Sequence, residues 1–89
     1  MPDKLYQVYV IQNPTGTFYI GLSEDVQIRL QQHNSGVSQW TRHRGPWKLV
    51  WTSQRLPISE ARKLENFLKR QKRGDGFYRT TGLLRSSGS

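Results

Sequence analysis

The stretch "YQVYVIQNPTGTFYIGL", residues 6–22, holds two β-rich runs around Asn13, Pro14, Thr15 and Gly16. Asparagine, then proline at the first central position, then glycine two residues later fit a type I turn closed by a left-handed glycine, a three-residue hairpin loop. That loop length sets the pairing. Asn13 then faces Thr17, Ile11 faces Tyr19 and Tyr9 faces Gly21. Tyr9 and Tyr19 therefore fall on one face of the sheet as diagonal neighbours roughly 7 Å apart. A two-residue loop would put them on opposite faces.

The hairpin opens a chain of 89 residues. A single domain of this size buries only roughly 60 to 65 % of the surface of its unfolded chain, so a functional site must lie at or near the surface. With no cysteine, no disulfide framework or thiolate zinc site can staple the fold. "MPDKLYQVYV" carries acidic Asp3 and too short an apolar run for a signal peptide, and no segment reaches the length of a membrane span. A cytoplasmic protein with no membrane association is the expectation.

Lysine and arginine number 14 against 6 aspartate and glutamate, a formal charge of +8. Such a field favours polyanions, nucleic acid above all. Residues 1–36 hold only Lys4 and Arg29 as basic groups, against Asp3, Glu24 and Asp25. Residues 37–89 hold the other 12, against Glu60, Glu65 and Asp75. The C-terminal part is the expected phosphate-binding surface.

After the hairpin, Ser23 offers an N-cap, Glu24 and Asp25 suit a helix start, and Asn34, Ser35 and Gly36 offer a stop, which predicts a helix from about Glu24 to Asn34. "VSQWTRHRGP" (37–46) has no period and reads as a loop. "WKLVWTSQ" (47–54) reads as a third strand. Ser59 is the expected cap of a second helix, opened by Glu60, with Ala61, Leu64 and Leu68 as its apolar side and "GDG" (74–76) as its end. "FYRTTGLL" (77–84) is a helical turn or packed tail. The whole predicts one domain over residues 1–84 and a disordered tail at 85–89. Its class is α+β, a small three-stranded, mainly antiparallel sheet flanked by helices in the order β-β-α-β-α.

Polar residues near the core rims are the candidates for chemistry. Tyr9 and Tyr19 sit on the hairpin, Arg29 and His33 share a helix face at i and i+4, and Glu65 lies at the rim of the second helix's core stripe. Taken singly, each has an ordinary reading: a packed tyrosine, a histidine at a helix C-terminus, a Glu65–Lys69 ion pair, an arginine stretched along the core.

Together they match a pattern, and the chain resembles the GIY-YIG endonuclease domain from about Leu5 to Gly82. Val8-Tyr9-Val10 stands at the first tripeptide and Tyr19-Ile20-Gly21 is an intact YIG. Arg29 follows the YIG tyrosine by ten residues and His33 by fourteen. "EARKLENFLK" (60–69) resembles the metal-binding helix, with Glu65 at its glutamate. The likeness is greatest to the small stand-alone bacterial members. Two departures stand out. The glycine and isoleucine of the first tripeptide are replaced, although Tyr9 remains, and no asparagine follows Asn66 to fill the supporting position that many members have late in the domain.

The resemblance implies a GIY-YIG fold and a divalent-metal-dependent DNA endonuclease that leaves 5′-phosphate and 3′-hydroxyl ends. It implies Glu65 as ligand to one Mg²⁺ or Mn²⁺, with waters and substrate oxygens completing the shell. Arg29 suits the scissile phosphate. Tyr9 is the expected acceptor of the water proton, given a pKa lowered by Arg29 and the metal. Tyr19 would orient water or phosphate and could exchange roles with Tyr9. His33 would bond a tyrosine hydroxyl or the phosphate.

Around that centre Trp40, Arg42, His43, Arg44 and Lys48 interleave with Trp47, a mixture that suits backbone contacts and base stacking in single-stranded DNA. Trp47 could equally pack in the core. Lys69, Arg70, Lys72, Arg73 and Arg79 form a second basic cluster for phosphates. The rival readings are a non-catalytic module that binds RNA or DNA on the same fold, a small RNA-binding or ribosome-associated protein, and a protein-interaction adaptor. Oligomeric state, pathway and sequence preference are left open.

Overall fold

The computed structural model describes residues 4–72 and 74–83. In chain order the elements are β1 (Leu5–Gln12), β2 (Phe18–Ser23), α1 (Val26–Ser35), β3 (Lys48–Thr52), β4 (Leu56–Pro57), α2 (Ile58–Arg70) and α3 (Asp75–Thr81). The predicted order is present, with a fourth strand and a third helix added to it. The expected tail at 85–89 lies outside the described residues, as does Arg73.

The hairpin forms with the predicted register. Gly16 N–H donates to Asn13 O at 3.0 Å, Asn13 N–H donates to Thr17 O at 3.1 Å, and Gly16 has φ 88°. That left-handed backbone suits glycine. Ile11 faces Tyr19 and Tyr9 faces Gly21.

β1 is the central strand. It pairs antiparallel with β2 on one side, and with β3 and then β4 on the other. Helices or loops cover both of its faces, so Val8, Tyr9, Val10 and Ile11 are each no more than 1 % exposed. This is why the strand reads as a continuous apolar run instead of an alternation. A bulge at Val50, opposite the Val10–Ile11 step, turns both Val50 and Trp51 toward one core.

That core joins Val8, Val10, Phe18 and Ile20 to Ala61 and Leu68 of α2 and Phe77 of α3. On the other face Tyr9 and Ile11 pack with Val26 of α1 and Trp47. Both candidate tyrosines face this second, smaller core.

Two predicted caps are corrected. Ser23 closes β2, where it pairs with Gln7, and Asp25 caps α1 by accepting from Ile28 N–H at 3.1 Å. α1 therefore starts at Val26 and stops at left-handed Gly36. Ser59 lies within α2, which follows directly from Pro57 of β4 with no side-chain cap. Pro57 is itself the N-cap, its backbone extended at ψ 154° and its ring without an acceptor for the first helical N–H groups. α2 ends at Arg70, before the "GDG" expected to stop it, and that segment instead opens α3.

α3 is anchored by Phe77, fully buried with its ring centroid 5.0 Å from that of Phe18. Phe77→Ala is expected to lower the unfolding free energy by about 3–5 kcal/mol, read from the urea midpoint. A loss below about 1 kcal/mol would show that α3 is not part of the core.

Candidate active site

The odd-length hairpin loop brings the tyrosines together, with ring centroids 6.5 Å apart. Tyr9 is 1 % exposed and lies across its strand partner Gly21. A Cβ at position 21 would stand 2.5 Å from the Tyr9 hydroxyl oxygen and 2.7 Å from the ring carbon that bears it. Any side chain there would occupy the hydroxyl's place, a physical reason for glycine at the end of Tyr19-Ile20-Gly21.

α1 lays Arg29 and His33 over that hydroxyl. The Tyr9 oxygen is 2.7 Å from His33 Nε2, a buried hydrogen bond, and His33 Nδ1 is 2.8 Å from Thr41 Oγ1. The Tyr19 ring meets the His33 ring edge-on at 4.8 Å. Arg29 is half-buried, held by its Nη1–H donating to Gln32 Oε1 at 2.8 Å, and its guanidinium favours the Tyr9 phenolate by charge and hydrogen bonding.

Burial outweighs that help. The Tyr9 hydroxyl is pushed up to about 12 by desolvation first and then by Tyr19, with Arg29 pulling it down and Glu65 pushing weakly up. Of the two influences expected to lower it, Arg29 acts in the predicted direction and is outweighed by the low-dielectric setting. His33 is pushed down to about 4, by burial first and by the Arg29 charge second. Both groups are neutral at pH 7, and a neutral imidazole can receive a proton.

Glu65 is more deeply placed than the rim position expected, at 6 % exposure. Its oxygens pair with Lys69 at 3.2 Å and Arg62 at 3.7 Å, and its charge is felt at Tyr9. Among the described residues no group of three or more His, Cys, Asp or Glu could hold a metal. The donor set is one carboxylate, which fits a hard cation that keeps its waters and borrows phosphate oxygens, and does not fit zinc.

The loop of residues 37–46 closes the far side of the site. Asn34 of α1 grips the Trp47 backbone twice, accepting from its N–H at 2.6 Å and donating to its O at 3.0 Å, and Asn13 of the hairpin loop donates to Arg44 O at 3.0 Å. Trp47 is core, 3 % exposed. Trp40 is 46 % exposed, its ring 5.3 Å from Tyr19. The Arg44 guanidinium lies 5.0 Å from the Trp40 ring centroid and Lys72 Nζ lies 5.8 Å from it.

The structure thus joins the two basic clusters at Trp40, through Arg44 and Lys72. Arg42 and His43 line a polar cleft of about 640 Å³ with His33, Asn34 and Thr41. Lys48 is exposed at the start of β3, opposite Gln12. Lys69 is engaged by Glu65, while Arg70 and Arg79 are exposed near the C-terminal ends of α2 and α3.

Three residues of the site are not among those the sequence reading assigns to it. Thr41 and Asn34 act through a loop that has no periodicity to read, and Gln32 is one polar residue among several on α1. The spacing of Gln32 three positions after Arg29 was the one available clue.

Comparison with known proteins matches the family described as the GIY-YIG catalytic domain to residues 5–77. Similar relatives include a UPF0213 protein of Streptococcus pneumoniae serotype 4, 40 % identical over 74 residues, 82 % of this chain and 74 % of the relative. Another is a UPF0213 protein of Halobacterium salinarum, 39 % identical over 70 residues, 78 % of this chain and 91 % of the relative. No solved structure matches.

The depressed His33 sets a pH dependence. A folded-state value of about 4 against 6.5 unfolded means that the unfolded chain binds more protons between those values. The stabilisation from neutral His33 is therefore complete above about pH 6.5 and is lost as pH falls toward 4. The expected result is an NMR titration of the His33 ring with a midpoint of about 4, and unfolding free energy that declines across that window. A midpoint near 6.5 would contradict the burial of this imidazole.

Proposed function

This chain belongs to the GIY-YIG nuclease family, and from that premise we propose that it is a divalent-metal-dependent DNA endonuclease that leaves 5′-phosphate and 3′-hydroxyl ends. The observation that carries this reading is the contact of the Tyr9 hydroxyl with His33 Nε2 at 2.7 Å, beside Arg29 and within the field of Glu65.

Phosphodiester hydrolysis needs a water activated, charge on the phosphoryl oxygens neutralised and the leaving oxygen stabilised. Tyr9 accepts the attacking water's proton at its oxygen while its own proton passes to His33 Nε2. This two-step handover answers the high Tyr9 pKa, because no free phenolate is required. The water oxygen bonds to phosphorus, the bond to the 3′ oxygen breaks, and that oxygen takes a proton from solvent. Arg29, always charged and fork-shaped, binds the scissile phosphate, and Gln32 holds it in line. Tyr19 orients the phosphate or water beside His33.

Glu65 is the residue that would hold Mg²⁺ or Mn²⁺. When bound, the cation supplies positive charge against the phosphoryl and leaving oxygens. Lys69, paired with Glu65 in this structure, lies beside the same carboxylate and would add positive charge for a phosphate there.

Trp40, exposed beside Tyr19 and flanked by Arg44 and Lys72, supports single-stranded or structured DNA as the preferred substrate, since an unpaired base can stack where a paired one cannot. Arg42, His43, Lys48, Arg70 and Arg79 add phosphate contacts that position the strand without reading sequence. The double pairing of Glu65 by Lys69 and Arg62 favours one other reading, a module that binds nucleic acid without cutting it.

The two are separated by incubating purified protein with labelled single-stranded, duplex and branched DNA and Mg²⁺ or Mn²⁺, beside Arg29→Ala and Glu65→Ala. Cleavage by the wild type and a loss of about 100-fold or more in each variant is the expected outcome. Binding without cleavage would favour the module, and equal cleavage by all three proteins would defeat the nuclease assignment. Binding itself is expected to weaken steeply with added salt, as counterions are released from the strand.

A further inference from the structure

Thr41 is unusual among the residues around the site. It sits in an irregular loop, yet it is 1 % exposed. Its hydroxyl oxygen is 2.8 Å from His33 Nδ1 and 3.4 Å from Ser38 O, while its own carbonyl accepts the Trp47 Nε1–H at 3.0 Å. Trp47 is in turn gripped by Asn34, one residue after His33. The loop therefore delivers one hydroxyl to one ring nitrogen and is locked there from both sides.

The direction of the protons along this line can be worked out. Arg29 has only donors to offer the Tyr9 oxygen. Among the described residues, His33 Nε2 is the one acceptor hydrogen-bonded to the Tyr9 hydroxyl. If Nε2 carried the imidazole proton, the buried Tyr9 proton would have no acceptor, a cost of about 1–3 kcal/mol. If Nε2 is bare, Tyr9 O–H donates to it, Nδ1–H donates to Thr41 Oγ1, and Thr41 O–H donates to Ser38 O. Every donor is then used.

We propose that Thr41 is a positioning residue that accepts Nδ1–H and so supports the His33 tautomer that the Tyr9 proton selects, leaving Nε2 free to receive that proton. Its hydroxyl does this without the charge that a carboxylate would bring. An anion at Nδ1 would favour the imidazolium and repel the DNA phosphate, whereas a hydroxyl orients the ring and leaves it neutral. The catalytic consequence rests on the nuclease reading; the tautomer does not.

The test uses ¹⁵N-labelled full-length protein and long-range ¹H–¹⁵N spectra of the His33 ring, beside cleavage assays. The wild type is expected to show Nδ1 protonated and Nε2 bare. Thr41→Val, which keeps the shape and removes the hydroxyl, is expected to populate Nε2–H and to slow cleavage about 10- to 100-fold, the usual range for partners that orient a functional histidine. Thr41→Ser is expected to restore both. Wild-type His33 in the Nε2–H form would overturn the proposal, a reading that needs no variant to fold, and so would an unchanged tautomer in Thr41→Val. If the tautomers behave as expected but the wild type cuts no DNA, the nuclease reading fails and the role of Thr41 in holding the ring stands.

Discussion

The buried hydrogen bond between the Tyr9 hydroxyl and His33 Nε2 ties together the central strand, the first helix and the loop behind it. Both partners are about 1 % exposed, so in the free protein each finds its hydrogen bond in the other. A phenol and an imidazole removed from water must satisfy one another, because an unpaired polar group in that setting is costly. Much of the surrounding structure answers this demand. Gly21 leaves room for the phenol, α1 carries the imidazole one turn beyond Arg29, and the pinned loop brings Thr41 to its far nitrogen.

The same burial sets what the proposed base, the Tyr9–His33 pair, would have to overcome. Desolvation raises the Tyr9 pKa and lowers that of His33, which appears unhelpful if each group is judged alone. Taken as a pair they hold a proton on oxygen and an empty site on nitrogen, 2.7 Å apart. A proton arriving at Tyr9 can be matched by one leaving it, so that Tyr9 stays neutral and the charge passes to His33. Arg29 lies where it opposes protonation of His33 at rest, and in the proposed reaction it would pair with phosphate.

Much of this was legible in the sequence where local chemistry dictates geometry. Pro14 and Gly16 determine the loop length, and the loop length determines that Tyr9 and Tyr19 share a face. The four-residue spacing of Arg29 and His33 places both beside Tyr9. What could not be read depends on contacts distant in the chain. Asp25 displaces Ser23 as cap because Ser23 is already paired with Gln7, a choice made by the sheet. The two-residue strand β4 exists only because Leu5 and Tyr6 present an edge to Leu56 and Pro57. The direction of the Tyr9 shift follows from tertiary burial, which no spacing reveals. Thr41 gains its role from Asn34 and Trp47, which hold a loop whose own sequence has no period.

The central claim is that Tyr9 is the group through which the water proton leaves, and Tyr9→Phe addresses it most directly. That change removes one oxygen and keeps the ring that fills the second core. With fold retention checked by NMR, single-turnover cleavage is measured for Tyr9→Phe and Tyr19→Phe under conditions where the wild type cuts. The account predicts a loss of about 100-fold or more for Tyr9→Phe, larger than that for Tyr19→Phe. A folded Tyr9→Phe protein that cleaves at the wild-type rate would contradict it.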